Sequence, residues 1–305
     1  MISTLQRSKE NSIHALLLAC ALLSILTTAG IIWVLTQESF EFFTVDGVSP
    51  VAFLTGGRWA PLSPEGQRSF GVLPLICGTM MVALGGLLVA VPVGLASAVY
   101  LSEYAPRVVQ QVLKPLLEIL AGIPTVVYGY FALTFITPCV LRPAMSALGI
   151  QVEVFNAASA AVVVGVMIIP TIASLCDDAF RAVPRSLREG AYALAATRLE
   201  VSTRVVLPAA LSGVVAAVLL ALARAIGETM AVAMAAGMTP KLTLNIFESI
   251  QTLTAYIVQV SMGDTPAGTV EYRSIFAVGM LLFVITLSIN IIAHRVLKRF
   301  REVYE

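Results

Sequence analysis

Six long stretches of this chain carry no charge, and their length leaves few folds open. No Asp, Glu, Lys or Arg occurs for 27 positions between Glu10 and Glu38, or for 34 between Arg68 and Glu103. Two further gaps of 23 positions run from Glu118 to Arg142 and from Glu153 to Asp177. A gap of 19 separates Arg204 from Arg224 and resumes past Glu228, and the last runs from Arg273 to Arg295. A helix needs about 20 residues to cross roughly 30 Å of hydrocarbon. Backbone polar groups find no water there, so each run is expected as a helix. A soluble core holding six such helices would leave too few polar residues to cover the surface. Of 305 residues, 58% are apolar and only 12% charged, with a mean hydropathy of +0.90. That composition excludes an ordinary soluble enzyme, a disordered chain and a small disulfide scaffold. A net charge of +1 offers no basic nucleic-acid surface. Cys20, Cys77, Cys139 and Cys176 each stand alone in or beside an apolar run, which suits neither a metal cluster nor a disulfide framework.

The expected fold is all-α and polytopic. Its six transmembrane helices fall at about 13–35, 71–100, 115–136, 154–176, 206–236 and 274–294, in one permease-like domain over 1–305. External loops are expected at 36–70 and 237–273, and an internal loop at 177–205. The first run has a basic flank in Arg7 and Lys9. It is too long for a signal-peptide core and lacks a convincing cleavage site, so it is expected to remain as a span. Orientation follows Lys and Arg. Thirteen fall on the side of the N-terminus, among them Arg107, Lys114, Arg181, Arg185, Arg188 and the Arg295–Arg301 cluster, against five on the other side. Both ends are therefore expected in the cytoplasm. Residues 245–262 are apolar but carry Glu248 and two glutamines. They are expected as an external, partly inserted helix, because a seventh span would place the basic tail outside. Phe40, Phe42, Phe43 and Trp59 fit an interfacial belt or a surface that docks an external partner.

In the internal loop, Ser186 and Glu189 have capping-box spacing. Leu187, Ala191 and Leu194 recur at helical steps, with Arg188 and Glu189 facing outward. Such a helix suits either a lipid surface or a groove in a cytoplasmic partner. Within the spans, Arg224 and Glu228 are the only charges well inside an apolar run, which marks a functional site. At i and i+4 they are expected on one helical face, with Gly227 allowing close approach. A buried structural pair remains an alternative. Glu118, after Lys114 and Pro115, is expected near a helix N-terminus at the cytoplasmic mouth. Pro92, Pro124 and Pro170 are expected as kinks inside spans, and Gly85, Gly86, Gly94, Gly122 and Gly129 as close-packing positions.

Glu189-Gly190-Ala191 followed by Val205-Val206-Leu207-Pro208 resembles the EAA loop of ATP-binding-cassette importer permeases. That pattern has a glycine where this chain has Ala195, so the turn is expected to be more helical or to shift toward Thr197. Leu222 to Val232 resembles the fifth span, and Glu118 to Gly129 the third span, of phosphate-importer permeases. The Met after Gly-Glu-Thr, the very apolar first span and the long first external loop resemble the PstC type. The resemblance covers about residues 13–300. It implies the type I importer fold and a coupling helix formed by Leu187, Glu189, Gly190, Ala191, Leu194 and Ala195. It further implies a heterodimer with a second phosphate permease subunit, two copies of a cytoplasmic ATPase and a periplasmic phosphate-binding protein. Arg224 would then attract phosphate, with Glu228, Thr229 and Tyr128 lining the path, although a contact with the second subunit is another use for the charges. No G-x-x-x-x-G-K-[ST] occurs, so no cofactor is expected on this chain, no catalysis, and ATP with Mg²⁺ on the partner ATPase. Without the resemblance, a permease for another anion or small solute, a proton-coupled carrier and a regulatory membrane protein all remain compatible with the residues.

Overall fold

The computed structural model of the chain describes residues 4–44, 48–64 and 66–300. Arg301, counted in the basic tail, lies outside them. Helix α1 (Thr4–Thr44) runs far beyond the expected span and lies along the last helix. A short helix α2 (Pro50–Thr55) and a two-stranded ribbon, β1 (Trp59–Ala60) against β2 (Ser69–Phe70), follow. Helix α3 (Leu73–Val99) continues through a π-helical turn to Tyr104. Helix α4 (Arg107–Gly122) stands apart from α5 (Thr125–Phe131). A π-helical stretch, Ala132–Leu141, carries α5 into α6 (Arg142–Ser146). Helix α7 (Ala157–Ala182) is the central span. Four short or bent pieces follow: α8 (Arg185–Ala193), α9 (Arg198–Val201), α10 (Leu207–Ala209) and α11 (Leu211–Ile226). Helices α12 (Met230–Ala236), α13 (Leu253–Ser261) and α14 (Val270–Phe300) complete the chain. Among the described residues, five helices are long and apolar enough to cross a membrane, or six if the bent 198–226 pair is one span.

Small residues bring α3 and α7 together. A Cβ on Gly94 would stand 2.9 Å from the Ile172 side chain, and one on Gly165 2.9 Å from the Gly86 carbonyl. Backbones this close gain dispersion contacts where lipid offers no hydrophobic drive. The main core gathers there around Val164, Ile168 and Ile172, with α11 and α12 packed on α7. Asn156 caps α7: its Oδ1 accepts from Ser159 N at 2.8 Å, and its Nδ2 donates to Thr137 Oγ1 at 3.2 Å.

Several boundaries differ from the sequence reading. The stretch expected as a span over 115–136 divides at Ile123–Pro124, both extended. Proline disfavours an α conformation in the residue before it, so the chain is extended at Ile123 and α5 starts just after Pro124, which precedes it rather than kinking it. Pro92 and Pro170 do sit inside helices. Pro115 lies in the interior of α4, so Glu118 is in that helix's second half and not at an N-terminus. Gly122 meets nothing within 4 Å, whereas Gly129 abuts Ala231. The expected span 206–236 bends by 73° just past Pro208 and breaks again at residues 227–229.

Residues 253–261 form a buried helix that joins the first long loop in a second core. Phe42, Phe53, Trp59, Val72, Leu75 and Tyr256 are almost wholly buried in it. Trp59 stands edge-on to Tyr256 at 4.8 Å, and Phe42 to Phe70 at 5.3 Å. Phe42 and Trp59 are therefore neither an interfacial belt nor an open docking surface; Phe40 alone of the four is exposed. Aromatic edges and faces attract, and the enclosed area adds a hydrophobic term, so packing the rings together was the better use of them.

Candidate functional site in the broken fifth span

The break at Gly227-Glu228-Thr229 decides where the two intramembrane charges point. Helix α11 ends at Ile226, so Arg224 and Glu228 do not share a helical face. They also do not pair. Arg224 is exposed on the surface of the chain, and its Nη1 donates to Thr171 Oγ1 of α7 at 3.0 Å. Among the described residues, no carboxylate lies within ion-pair distance of Arg224. Glu228 turns the other way. Its Oε1 accepts from Ala231 N at 3.2 Å, in the first turn of α12, and its carbonyl accepts from Thr254 Oγ1 of α13 at 2.7 Å. A carboxylate there offsets the unpaired N–H groups and the positive end of a helix. Thr229 Oγ1 donates to its neighbour Gly227 O at 3.1 Å. Around Gly227 a Cβ would meet only carbonyls of its own helix, at 3.5 Å or beyond, so no other helix approaches it.

Tyr128 is buried and donates to Leu120 O at 2.7 Å, tying α5 to the end of α4. Its hydroxyl is thus committed to the fold. Thr171 and Thr254 are the site residues that sequence reasoning missed. Thr171 follows Pro170, where α7 lacks an N–H, and Thr254 belongs to the polar set that marked 245–262 as unlike a lipid-facing span.

A second group lies where the internal loop meets the ends of α3, α4 and α7. Asp177 is buried and contacts Lys114 Nζ at 2.6 Å and Arg181 Nε at 3.0 Å. Arg181 also reaches Gln110 Oε1 at 3.0 Å. Glu118 is exposed on the rim of a cavity of about 390 Å³ shared with Lys114, Asp177 and Asp178. Arg188 does not face outward: it pairs with Glu103 at 3.1 Å and donates to Phe180 O and Val183 O. Those bonds pin α8 to the end of α7. Glu189 is exposed beside a groove of about 450 Å³, Leu187 and Leu194 are exposed, and Ala191 is half-buried against the main core. Gly190 has open space around it.

The turn after α8 departs from expectation in two ways. Ser186 does not cap the helix, which starts at Arg185 behind an uncapped Pro184. The capping box forms instead at Thr197–Glu200, where Thr197 N and Oγ1 both donate to Glu200 Oε2 at 2.9 Å. Those bonds hold the Glu200 carboxyl below its ordinary value. The turn neither shifts nor becomes helical. Ala195 adopts φ +59°, with Ala196 N bonded to Ala191 O and Ala195 N to Tyr192 O. This is a Schellman ending, a glycine-type turn built with an alanine.

The sequence and the fold were compared with known proteins. Residues 90–302 match the family described as binding-protein-dependent transport system inner membrane component. A probable ABC transporter permease of Bacillus subtilis, YqgH, is 37% identical over 94% of this chain and 91% of its own length. The phosphate transport system permease protein PstC of Mesorhizobium japonicum is 32% identical over 94% of this chain and 89% of its own. Among solved structures, a chain of a bacterial alginate ABC transporter aligns over 98% of each chain, with TM-score 0.65 and 16% identity. A chain of the MetNI methionine ABC transporter covers 76% of this chain and 94% of its own, with TM-score 0.55 and 19% identity. These two carry the fold alone, that of type I ABC importer permeases. With the match spanning most of the sequence, this chain belongs to the family of inner membrane components of binding-protein-dependent transport systems, as an ABC importer permease.

Proposed function

We propose that this chain is one half of a heterodimeric permease that passes inorganic phosphate inward by alternating access, driven by ATP on a partner. The observation that carries the reading is Arg224: a guanidinium on an apolar span, exposed at the chain surface, held by a hydroxyl and unmatched by a carboxylate. An unpaired cation in hydrocarbon is costly, so it implies an anion, water or a second subunit against it. A guanidinium fork matches phosphate oxygens, and hydrogen bonds to charged groups are the strong ones. The resemblance to proteins named phosphate transport permeases supports phosphate as that anion.

Energy coupling follows from α8. Its exposed Leu187, Glu189, Gly190 and Leu194 would contact one of two ATPase copies that hold ATP and Mg²⁺, with Ala195 shaping the turn behind them. The chain itself would catalyse nothing. The side bearing α8 and the two termini would face the cytoplasm, and a phosphate-binding protein would dock on the opposite side. Glu228 would hold the first turn of α12 at the break, and Thr229 would add a hydroxyl there. Glu118 and its cavity would form the inner mouth.

Arg224→Gln tests this. Glutamine keeps hydrogen-bonding capacity but loses the charge, and a charge-assisted bond of about 1.5–3 kcal/mol corresponds to roughly a 10- to 100-fold loss of uptake. ATP-dependent uptake of labelled phosphate is measured in vesicles, per assembled complex, with sulfate in parallel. Unchanged phosphate uptake would remove Arg224 from the pathway. Loss of assembly in proportion to uptake would make it an architectural contact. Transport of sulfate in preference to phosphate would reassign the substrate to another anion.

A further inference from the structure

We propose that α4 is a lipid-seated helix, lying in the leaflet on the side of α8 with its apolar stripe among acyl chains and its polar edge turned inward onto α7. The inference does not depend on the transported substrate.

The residues of α4 separate into two faces. Val108, Val112, Leu116 and Ile119 recur at steps of four and three, so they form one stripe. All four are exposed, at 72%, 56%, 52% and 65%. Gln110 and Lys114 lie on the other side, and they make the contacts with the chain: Gln110 Oε1 to Arg181 at 3.0 Å, and Lys114 Nζ to Asp177 at 2.6 Å. Glu118 lines the same cavity as Lys114. None of the helix's residues is buried. An amphipathic helix packed on a water-soluble protein would face the opposite way, with its apolar stripe on the core. This one turns Gln110 and Lys114 onto its own protein beside the half-buried Leu117 and Leu120, and leaves its most exposed apolar stripe outside.

Three features of the surroundings make lipid the occupant. Both ends of α4 join membrane spans, α3 through Ala105–Pro106 and α5 through Ile123–Pro124, so the helix is held at the level where those spans leave the hydrocarbon. Tyr100 and Tyr104, just before it, are 45% and 37% exposed, the amphipathic ring residues that favour the headgroup region. Arg107 is exposed in its first turn, on the same edge as Gln110 and Lys114, where a cation can reach anionic headgroups. A helix of this kind lies in the interface plane with its apolar face in the acyl boundary. Asp177, through Lys114 and Arg181, then ties a lipid-seated helix to the span that leads directly into α8.

The test is photo-crosslinking of the full chain in its native membranes. Benzoylphenylalanine is placed at Val112, Leu116 or Ile119, at Gln111 on the polar border, and at Leu88 of α3, which is 79% exposed, as a comparison for a span. Phospholipid adducts at 112, 116 and 119 comparable to those at 88, with their loss at 111, are the expected result. Adducts to another protein subunit at the stripe positions would overturn the proposal and make the stripe a subunit interface. Absence of lipid adducts at all three positions while Leu88 gives them would overturn it as well. Three separate positions keep the result readable if one substitution prevents insertion.

Discussion

The two ends of this molecule are held by different balances of forces. At one end, Phe42, Phe53, Trp59, Phe70 and Tyr256 interlock in a core shared by the first long loop and α13, with the pairs Arg68–Glu271 and Arg273–Glu41 beside it. At the other, α4 and α8 are fastened to α7 and α3 by Asp177 with Lys114 and Arg181, and by Glu103 with Arg188. A close-packed aromatic core loses contacts as soon as its parts shift, so it has one arrangement. Lys114 and Arg181, 41% and 42% exposed, can turn to water when they leave Asp177, which lowers the cost of parting them. The aromatic end is thus a fixed frame, and the ion-paired end, which carries α8, is the part suited to move.

Breaking each end separately sharpens that contrast. Trp59→Ala removes a ring that is 2% exposed, and truncations of this kind cost about 3–5 kcal/mol. Thermal unfolding in detergent should fall by the largest margin of any variant here, and hydrogen exchange should rise in 253–261 but not in 185–193. A matching rise in α8 would show that the two ends are one unit.

Asp177→Ala leaves Lys114 and Arg181 without their carboxylate. Breaking a buried pair costs about 3–5 kcal/mol, but these partners are 41% and 42% exposed and can turn to water, so about 1–3 kcal/mol is expected. Exchange should quicken in 107–122, and the aromatic end should keep its protection. If overall stability fell as far as in Trp59→Ala, the pairs would be part of the frame.

Ala195→Gly runs the other way. Alanine at φ +59° is strained by about 1–2 kcal/mol, which glycine does not suffer, though glycine gives back some of that through a more flexible unfolded chain. The variant should stabilise α8 by about 1 kcal/mol, read as greater exchange protection at Ala196 and within 185–193. Destabilisation would mean that the left-handed turn is absent in the membrane.

The smallest effect concerns pH. The Thr197 bonds lower the Glu200 carboxyl in the folded chain. Its contribution is therefore present above the unfolded carboxyl value and is lost as pH falls through the lowered folded value. Protection of the amides at positions 200 and 201, taken relative to the unfolded exchange rate at each pH, should fall on acidification in the native protein and stay constant over that range in Glu200→Gln. Equal pH dependence in both would assign the effect to another group.

Much of this architecture was legible in the residue order. Charge-free runs identify membrane helices because an unpaired charge in hydrocarbon is costly whatever the fold around it, and Arg224 and Glu228 were conspicuous for the same reason. The pairing of those two charges was not legible. It depended on whether the helix continued through Gly227, and the backbone breaks there because Glu228 can bond Ala231 N while Thr254, from a distant helix, bonds the Glu228 carbonyl. Arg188 read as outward by helical spacing, yet Glu103, 85 positions away, turns it inward.

By itself, then, the sequence determined that this chain is a mostly helical membrane protein, where its apolar runs lie, and that a short helix follows the fourth span. Composition and periodicity are local, and the cost of placing charge or bare backbone in lipid acts on each segment alone. Only the tertiary structure decided that α4 stands apart from α5, that Trp59 is core rather than surface, that Ala195 holds a left-handed turn, and that Arg224 meets Thr171 instead of Glu228. Each of those outcomes rests on groups remote in the chain competing for the same hydrogen bond, ring face or space, and that competition exists only once the helices have packed.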